Sequence, residues 1–268
     1  GMDHAGIATQ YVVEKMIMET EKKTRHDYGR EAFIKKTWQW KEEYGGIIAS
    51  QQRVMGASPD WDYSMFTMDP EANEAVRKVF VNLYNEGLIY QSDYIINWDP
   101  VLQSAISDAE VDHKEVNGAF YHILYKIKDS DETLEIATTR PETLLADTAV
   151  CVHPDDERFQ KYIDKTAIVP FCNRDVPIIA DDYVSIDKGT GCLKVTPGHD
   201  FNDFEIGRRH NLPIINMLNK DGSLNEIGLE YQGMMPPKAR KLIVEKLEEI
   251  GQLKEVKKHT HQAVSYTH

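Results

Sequence analysis

The sequence has few cysteines, and none are arranged to bind a metal or to form a disulfide framework. It contains three, Cys151, Cys172 and Cys192, widely separated along 268 residues. No Cys-x-x-Cys pair is present, which argues against a zinc knuckle. An odd number of scattered cysteines is typical of a reducing compartment, so we expect a cytoplasmic protein.

Long apolar runs are also missing. Hydrophobic residues make up 41% of the chain, enough for a packed core. No run approaches the roughly 20 apolar residues of a membrane span. The opening stretch "GMDHAGIATQ" lacks the basic and then apolar segments of a signal peptide, and we expect none. The length suits one large domain or two modest ones, with no membrane partner.

Positive charge is scarce. The chain has 31 Lys and Arg against 44 Asp and Glu, a net charge of -13. Because phosphate binding depends on Lys and Arg, a nucleic acid is expected to bind only a local basic face. The most basic region lies late in the chain; a solvated surface accounts for it, and tRNA contact is the alternative. It contains Lys238, Arg240, Lys241, Lys246, Lys254, Lys257 and Lys258.

The first third has helical patterns. "YVVEKMIMETEKKT" places apolar residues on one helix face, and a second helical stretch is interrupted at Gly45-Gly46. "DPEANEAVRKVFVNLYNEG" is the clearest helix, with Asp69 as its cap, Pro70 in its first turn and Gly87 at its end. A late helix is predicted in "PPKARKLIVEKLEEIG".

Strand patterns dominate the rest of the chain. "LIYQSDYIINW" is rich in β-branched and aromatic residues, and "AFYHILYKIK" followed by "TLEIATT" predicts a hairpin. Shorter strands are predicted at "TAVCV", "TAIVPF", "VPII" and "GCLKVT". The order predicts an α+β fold with a barrel-like sheet, divided near Asn117-Gly118.

The first stretch with chemical potential is "TTRPET". A strand ending at Thr138 or Thr139 would place hydroxyl groups at the rim of a sheet, and Pro141 suits the start of a helix. One interpretation is a strand-to-helix turn capped by Thr139. The other is a polar wall that hydrogen-bonds a ligand.

The second stretch is "GTGCLKVTPGHDFNDF". Lys194 and Thr196 alternate outward together on a short strand. Asp200 is expected to cap a helix, with Asp203 as an acid of its first turn. If Asp203 lies in a cleft, its carboxylate could instead hold an ammonium group.

Two weaker signals are also present in the sequence. A His199-Asp200 pair is compatible with a metal phosphohydrolase, but His153 and His210 form no ligand pattern with it, and we predict no metal. His4, followed by small residues, suits a tight helix start or a close approach to a nucleotide.

Four blocks, taken in order, resemble one family. "GMDHAGIATQ", "NWDPVLQSAISDAEV", "TTRPETLLADTAVCVHP" and "GTGCLKVTPGHDFNDFEIG" are similar to successive blocks of the valyl-tRNA synthetases, which are class I aminoacyl-tRNA synthetases. The resemblance covers essentially the whole chain. Isoleucyl enzymes carry a Thr-Thr-Thr-Pro-Trp type sequence at the threonine stretch, and leucyl enzymes carry Asp where Glu142 stands.

The ATP signatures of class I enzymes, His-x-Gly-His and Lys-Met-Ser-Lys-Ser, do not occur in the sequence. The resemblance therefore implies an internal fragment of a longer synthetase. It implies a helical flanking segment of an interrupted Rossmann-type catalytic domain at 1–117. A β-rich editing domain would follow at 118–258 and a return segment at 259–268.

In this family the editing domain hydrolyses wrongly charged tRNA. Threonine and valine are nearly isosteric, and a hydrophobic pocket cannot strongly reject an added hydroxyl; valyl enzymes are themselves the standard example of this limit. A second, polar pocket reverses the selection, because valine would leave its hydrogen-bonding groups unpaired.

The resemblance assigns residues to this pocket. One wall consists of Thr138, Thr139, Arg140, Glu142 and Thr143, and the other of Lys194, Thr196, Asp200 and Asp203. We expect Asp203 to hold the aminoacyl ammonium group. Asp200, with Lys194 or Thr196, would recognise the side-chain hydroxyl.

The hydrolytic step would use a positioned water. The hydroxyls of Thr138 and Thr139 and a ribose hydroxyl of the tRNA are expected to help place it against the ester carbonyl. Arg140 suits the terminal adenosine or its phosphate. His199 is a candidate base.

The implied partners are the acceptor end of tRNA(Val) carrying threonine and the remainder of the synthetase chain. No cofactor is expected for this stretch, whereas ATP and Mg serve the full-length enzymes. The alternatives are a non-catalytic module that only binds the acceptor end, and the editing domain of a related isoleucyl or leucyl enzyme.

Overall fold

The computed structural model describes residues 1–187 and 189–266, with side chains for all of these except 112–114 and 261–266. It forms two compact units, Gly1–Ser92 and Asp93–His268. The division placed at 117–118 from sequence falls inside the second unit; as a boundary between flanking and editing segments it stays a prediction. Residues 267 and 268 of the predicted return segment lie outside the described residues.

The first unit is helical. Its helices are α1 (Gly6–Glu21), α2 (Arg25–Tyr28), α3 (Arg30–Tyr44), α4 (Ile47–Val54) and α5 (Pro70–Asn85). A small core forms where Val13 and Ile17 of α1 pack with Phe33 of α3. The predicted helices and the break between α3 and α4 are confirmed.

The start of α5 follows the predicted pattern with one difference. Asp69 occupies the cap position and Pro70 the first turn, but the Asp69 side chain does not cap the helix. Its carboxylate accepts a hydrogen bond from Phe66 N–H at 2.8 Å instead. This bond holds the turn that precedes the helix.

The second unit contains the strands. They are β1 (Asn97–Asp99), β2 (Ser104–Ile106), β3 (Val111–Ile127), β4 (Thr133–Thr138), β5 (Ala149–Val152), β6 (Thr166–Ile168), β7 (Asp175–Ala180), β8 (Cys192–Val195) and β9 (Leu253–Tyr266). Its helices are α6 (Phe201–Arg209) and α7 (Pro236–Glu249). The strand predicted in "LIYQSDYIINW" was wrong for residues 88–96, which form no strand; only Asn97–Asp99 pairs, with β2.

The main sheet is nearly a closed barrel. Its seven strands run in the order β4-β3-β6-β7-β5-β8, with β9 also paired to β3. β4 and β8, at the two ends of this order, lie in contact with each other. The predicted hairpin is confirmed, since β3 and β4 pair antiparallel from Tyr121↔Thr138 to Lys126↔Thr133. The predicted α+β class with a barrel-like sheet is confirmed.

The core of this unit lies on one face of the hairpin. Ile123 and Tyr125 of β3 and Ile136 of β4 are fully buried, as the alternation predicted. α7 packs three residues into the same cluster, Ala239, Ile243 and Leu247. The packing brings the end of β4 beside the end of β8, so the polar residues that follow the two strands lie close together. No helix among the described residues has the length and apolarity needed to cross a membrane.

Candidate functional site

The candidate site consists of residues 138–147, which follow β4, and residues 194–203, at the end of β8 and the start of α6. After β4 the chain enters a 3₁₀ helix, Pro141–Ala146, with Pro141 in its first turn. The Thr139 cap predicted from sequence was wrong: the cap position is Arg140, and no side chain among the described residues caps this turn. Thr138 Oγ1 instead accepts a hydrogen bond from Arg140 N–H at 3.1 Å.

The Thr143 hydroxyl also serves this turn. It donates to the Arg140 carbonyl at 2.9 Å, so the chain between these two residues is held locally. Thr138 and Thr139 are half-buried and Arg140 is exposed. Of the residues in this wall, Thr138, Thr139 and Arg140 therefore keep side-chain surface that a ligand could reach.

Glu142 makes an ion pair with α7. Its carboxylate accepts two hydrogen bonds from the Arg240 guanidinium, at 2.8 and 2.7 Å. Only 4% of the Glu142 side chain is exposed, against 30% of Arg240. Both groups are thus engaged in holding the 3₁₀ helix to α7, and Arg240 is the least available cation of the basic region.

At the other side, Asp200 caps α6 as predicted. Its Oδ1 accepts from Asn202 N–H at 2.9 Å and from Asp203 N–H at 3.2 Å. These bonds satisfy two of the amide groups that a helix start leaves unpaired. The cap fixes where the first turn of α6, and Asp203 with it, emerges from the loop.

Asp203 is a buried carboxylate. It is 7% exposed, and its Oδ2 accepts a hydrogen bond from Thr196 N–H at 2.8 Å. Loss of hydration on burial raises its pKa to about 6, although Lys194 and the Thr196 amide act in the opposite direction. Near neutral pH the group is therefore mostly ionised yet poorly neutralised, which favours a cationic ligand.

His199 lies between the two stretches. The Arg140 guanidinium donates a hydrogen bond to its carbonyl oxygen. Its ring Nε2 accepts from Met217 N–H at 3.0 Å, and burial, with help from Arg140 and Lys194, lowers its pKa to about 4. Because Nε2 already has a donor, His199 holds the loop in place, and the geometry does not favour it as a base.

Lys194 and Thr196 do not face solvent as the strand pattern predicted. They are 6% and 1% exposed. Both donate to one carboxylate oxygen, Asp147 Oδ1, at 2.7 and 2.6 Å. The outward alternation was wrong because both faces of β8 are covered here.

Asp147 is the residue that sequence reasoning missed. It is fully buried at the end of the 3₁₀ helix, and its Oδ2 also accepts from the Tyr125 hydroxyl at 2.5 Å. The sequence signal for Asp147 is an acidic residue directly after the apolar run "LLA", inside the block "TTRPETLLADTAVCVHP". A buried carboxylate is rare unless it is paired.

The structure thus brings the two predicted stretches together. Arg140 reaches the backbone of His199, Asp147 joins Lys194 and Thr196, and Thr148 N–H donates to the Val195 carbonyl at 2.9 Å. Buried hydrogen-bonding groups and one raised carboxylate pKa occur in the same place, a combination typical of functional sites. The ligand-binding and catalytic roles given to these residues stay predictions.

A separate cluster lies on the sheet. His122, Glu135 and Glu255, from β3, β4 and β9, place ligand atoms within 4.8 Å of one another. Lys254 contacts Glu135, and Lys257 Nζ lies 2.8 Å from Glu255 Oε1. Each carboxylate therefore already has a lysine partner, which accounts for the cluster as a network of ion pairs. The prediction of no metal stays a prediction.

The chain has an α+β fold, and its polar groups cluster where two strand ends meet. Its family is also clear. The family model for class I tRNA synthetases (I, L, M and V) matches residues 1–262, and the chain belongs to this family. The predicted resemblance to a class I synthetase is thereby confirmed.

Within the family, the similar curated proteins are valine–tRNA ligases. The chain is 54% identical over 261 residues to the enzyme of Bacillus licheniformis, 53% to that of Bacillus subtilis and 54% to that of Latilactobacillus sakei. Each match covers 97% of this chain and 30% of the relative, so the chain spans about a third of their length. The predicted resemblance to valyl enzymes is confirmed.

Solved structures give weaker similarities. One is the ternary complex of Agrobacterium radiobacter K84 agnB2 LeuRS with tRNA and LeuAMS, at TM-score 0.42 and 20% identity, covering 89% of this chain and 38% of that one. Another is GlLeuRS-CP1, at TM-score 0.40 and 11% identity, covering 52% and 98%. Both scores lie below 0.5, a level from which no shared fold follows.

Proposed function

We propose that this chain carries the editing site of a valine–tRNA ligase and hydrolyses the ester bond of threonyl-tRNA(Val). The observation that supports this most strongly is the buried Asp203 carboxylate, 7% exposed, beside a wall of hydroxyl and cationic groups. Several relatives more than half identical to the chain are valine–tRNA ligases.

The ammonium group of an aminoacyl ester is the cation that Asp203 suits. An ionised carboxylate that burial has deprived of water gains more from a cation than an exposed one does. Binding the ammonium would lower the raised pKa of Asp203. The hydrogen bond from Thr196 N–H goes to Oδ2, and no donor among the described residues contacts Oδ1, which leaves it for this contact.

Selection between threonine and valine rests on unpaired polar groups. A hydroxyl group on the substrate accepts a hydrogen bond from a donor in the pocket, whereas a methyl group leaves that donor without a partner. Each buried donor left unpaired costs about 1–3 kcal/mol. Lys194 is the cation best placed for this, since its ammonium is buried beside Asp203. Asp200 serves here as the helix cap, so we assign it to holding Asp203 in position.

The roles of the remaining residues are assigned from how exposed their side chains are. Thr138 and Thr139 lie half-buried at the rim, where their hydroxyls would orient the water that attacks the ester carbonyl. Arg140 is exposed and would contact the terminal adenosine or its phosphate. Glu142 and Thr143 act by holding the turn.

The setting of this activity is also a proposal. The partner is the acceptor end of tRNA(Val), in the cytoplasm, with the site working as one part of a longer synthetase. No cofactor is invoked for hydrolysis, and ATP and Mg belong to the aminoacylation reaction of the whole enzyme. A passive module that binds the acceptor end without hydrolysis is the competing function.

The test compares two variants in α6. Asp203→Ala removes the carboxylate, and we expect hydrolysis of threonyl-tRNA(Val), followed as released threonine, to fall by about a hundredfold, as expected for a lost buried ion pair of about 2–5 kcal/mol. Glu205→Ala is the matched control, because Glu205 is exposed in the same helix.

Equal rates for Asp203→Ala and the wild-type chain would remove Asp203 from the site. Tight binding of the tRNA by the wild-type chain with no release of threonine would support the passive module instead.

A further inference from the structure

In the part of the chain that the structure describes, the Asp147 side chain accepts more hydrogen bonds than that of any predicted site residue. Its side chain is 0% exposed and accepts from three groups, one on β3 and two at the end of β8. Tyr125 Oη donates to Oδ2 at 2.5 Å, Lys194 Nζ to Oδ1 at 2.7 Å and Thr196 Oγ1 to Oδ1 at 2.6 Å. A fully buried carboxylate of this kind is stable only because all its partners are donors.

The carboxylate fixes the direction of every bond around it. An ionised carboxylate is an acceptor only, so the single hydroxyl proton of Thr196 is directed to Asp147. Thr196 Oγ1 must then act as an acceptor toward Lys194 Nζ, 2.5 Å away. Burial and the neighbouring Asp147 raise the pKa of Tyr125 well above its usual value, so that group remains a donor.

The Lys194 ammonium has one N–H group left for a ligand. The Lys194 ammonium has three N–H groups, of which one goes to Asp147 and one to Thr196. The third has no acceptor within hydrogen-bonding distance among the described residues. Lys194 is 6% exposed, against 1% for Thr196 and 0% for Tyr125 and Asp147, so the lysine is the most exposed member of the cluster.

We propose that Asp147 is a positioning residue for substrate selection: it locks the Lys194 ammonium and the Thr196 hydroxyl so that one N–H of Lys194 is held ready for the hydroxyl oxygen of a β-hydroxy aminoacyl ester. This inference rests on the proposed function and deepens it. Asp147 itself does not touch the substrate. It holds one N–H of Lys194 in a fixed direction. A substrate hydroxyl can accept a hydrogen bond from this N–H, and a methyl group cannot.

A purely structural role for Asp147 gives a different outcome. If it only ties β3, β8 and the 3₁₀ helix together, its loss lowers stability and slows hydrolysis of all esters alike. If it positions the donor of Lys194, its loss changes the preference between esters with and without the hydroxyl. The ratio of two rates is therefore the informative quantity.

The experiment uses threonyl-tRNA(Val) and α-aminobutyryl-tRNA(Val), which differ in the side-chain hydroxyl. In Asp147→Asn the amide can donate to Thr196 and no longer neutralises Lys194. We expect the preference for the threonyl ester to fall by roughly tenfold or more, because a lost hydrogen bond to a charged group is of this size. Lys194→Met should lose the same preference, and the double variant should lose no more.

Tyr125→Phe is the matched control. It removes one bond to Oδ2 and its packing is conserved, while the carboxylate and both bonds to Oδ1 remain. The preference for threonine should be kept even if stability falls. An unchanged preference in Asp147→Asn, or an equal loss in Tyr125→Phe, would overturn the proposal.

A second readout does not depend on hydrolysis. The ¹H–¹⁵N NMR signal of the Lys194 ammonium, assigned with Lys194→Met, should be sharp in the wild-type chain and lost in Asp147→Asn, with Tyr125→Phe unaffected. A signal that persists in Asp147→Asn refutes the positioning of Lys194. A wild-type chain that shows this NMR pattern but cleaves neither ester would refute the proposed function instead, so the two failures are distinguishable. If Asp147→Asn does not fold, Lys194→Met and the double variant, which leaves no unpaired charge, carry the comparison.

Discussion

Asp203 has a structural contact and a proposed ligand contact, and burial opposes the charge that both favour. As an acid in the first turn of α6 it accepts a hydrogen bond from Thr196 N–H, which favours the ionised carboxylate. As the proposed partner of an ammonium it must be ionised in a buried position, where ionisation is costly. Loss of hydration on burial raises the pKa of Asp203 to about 6, against the lowering effect of Lys194 and the Thr196 amide.

The raised pKa of Asp203 has a consequence for stability. The folded pKa lies above the unfolded value of 3.8, so between these values the folded state binds more protons than the unfolded state. The contribution of Asp203 to the free energy of unfolding is therefore present at low pH and is lost as the pH rises through about 6. The full loss is about 3 kcal/mol, from roughly two pKa units.

Asp203→Asn should remove this loss. We expect its free energy of unfolding, relative to the wild-type chain, to rise by about 2–3 kcal/mol between pH 4 and pH 7, while hydrolysis is lost. Urea denaturation at several pH values measures the difference, with Glu205→Gln as the exposed control. A difference that does not change with pH would show that the Asp203 pKa is not raised.

His199 shows how far a single residue can be interpreted from sequence. The sequence allowed it to be a base, but its ring nitrogen receives the Met217 amide from a loop distant along the chain. The Asp200 cap was predictable, because capping depends on residues two and three positions away. Asp147 was not, because its partners Tyr125 and Lys194 come from other strands.

At the scale of the elements, the 3₁₀ helix and α7 are joined by the Glu142–Arg240 pair. Removing one partner of a buried pair leaves the other charge uncompensated, typically at about 3–5 kcal/mol. Arg240 keeps 30% of its side chain exposed, which weakens the effect by solvent screening.

We therefore expect Arg240→Ala to lower the free energy of unfolding by about 2–3 kcal/mol, measured by urea denaturation. Lys241→Ala, its exposed neighbour on α7, is the control and should cost less than about 0.5 kcal/mol. Adding Glu142→Gln to Arg240→Ala should restore part of the stability. Equal effects of Arg240→Ala and Lys241→Ala would mean that the pair contributes nothing.

Local elements were predictable and distant pairing was not. The β3–β4 hairpin and α7 follow from side-chain periodicity and turn residues close in sequence. β9 was not predicted as a strand, because its pairing with β3 depends on a partner far along the chain. Residues 88–96 have strand-forming side chains but no ladder, which shows that β propensity needs a neighbouring strand.

For the whole molecule, the resemblance of four sequence blocks predicted the family, which the composition did not. A net charge of -13 argued against nucleic acid, whereas the family model that matches the chain is that of tRNA synthetases. Charge over a whole chain says little about one local face, and Lys238 and Lys241 of α7 are both exposed. The closure of the sheet, with β4 beside β8, is what turns two separate sequence blocks into one site.

The most direct measurement is the ratio of hydrolysis rates for threonyl-tRNA(Val) and valyl-tRNA(Val), with the 268-residue chain as the catalyst. If a polar pocket selects the hydroxyl, the threonyl ester is cleaved at least roughly tenfold faster, since valine leaves a buried donor unpaired. Equal rates for the two esters, or faster cleavage of the valyl ester, would contradict the account.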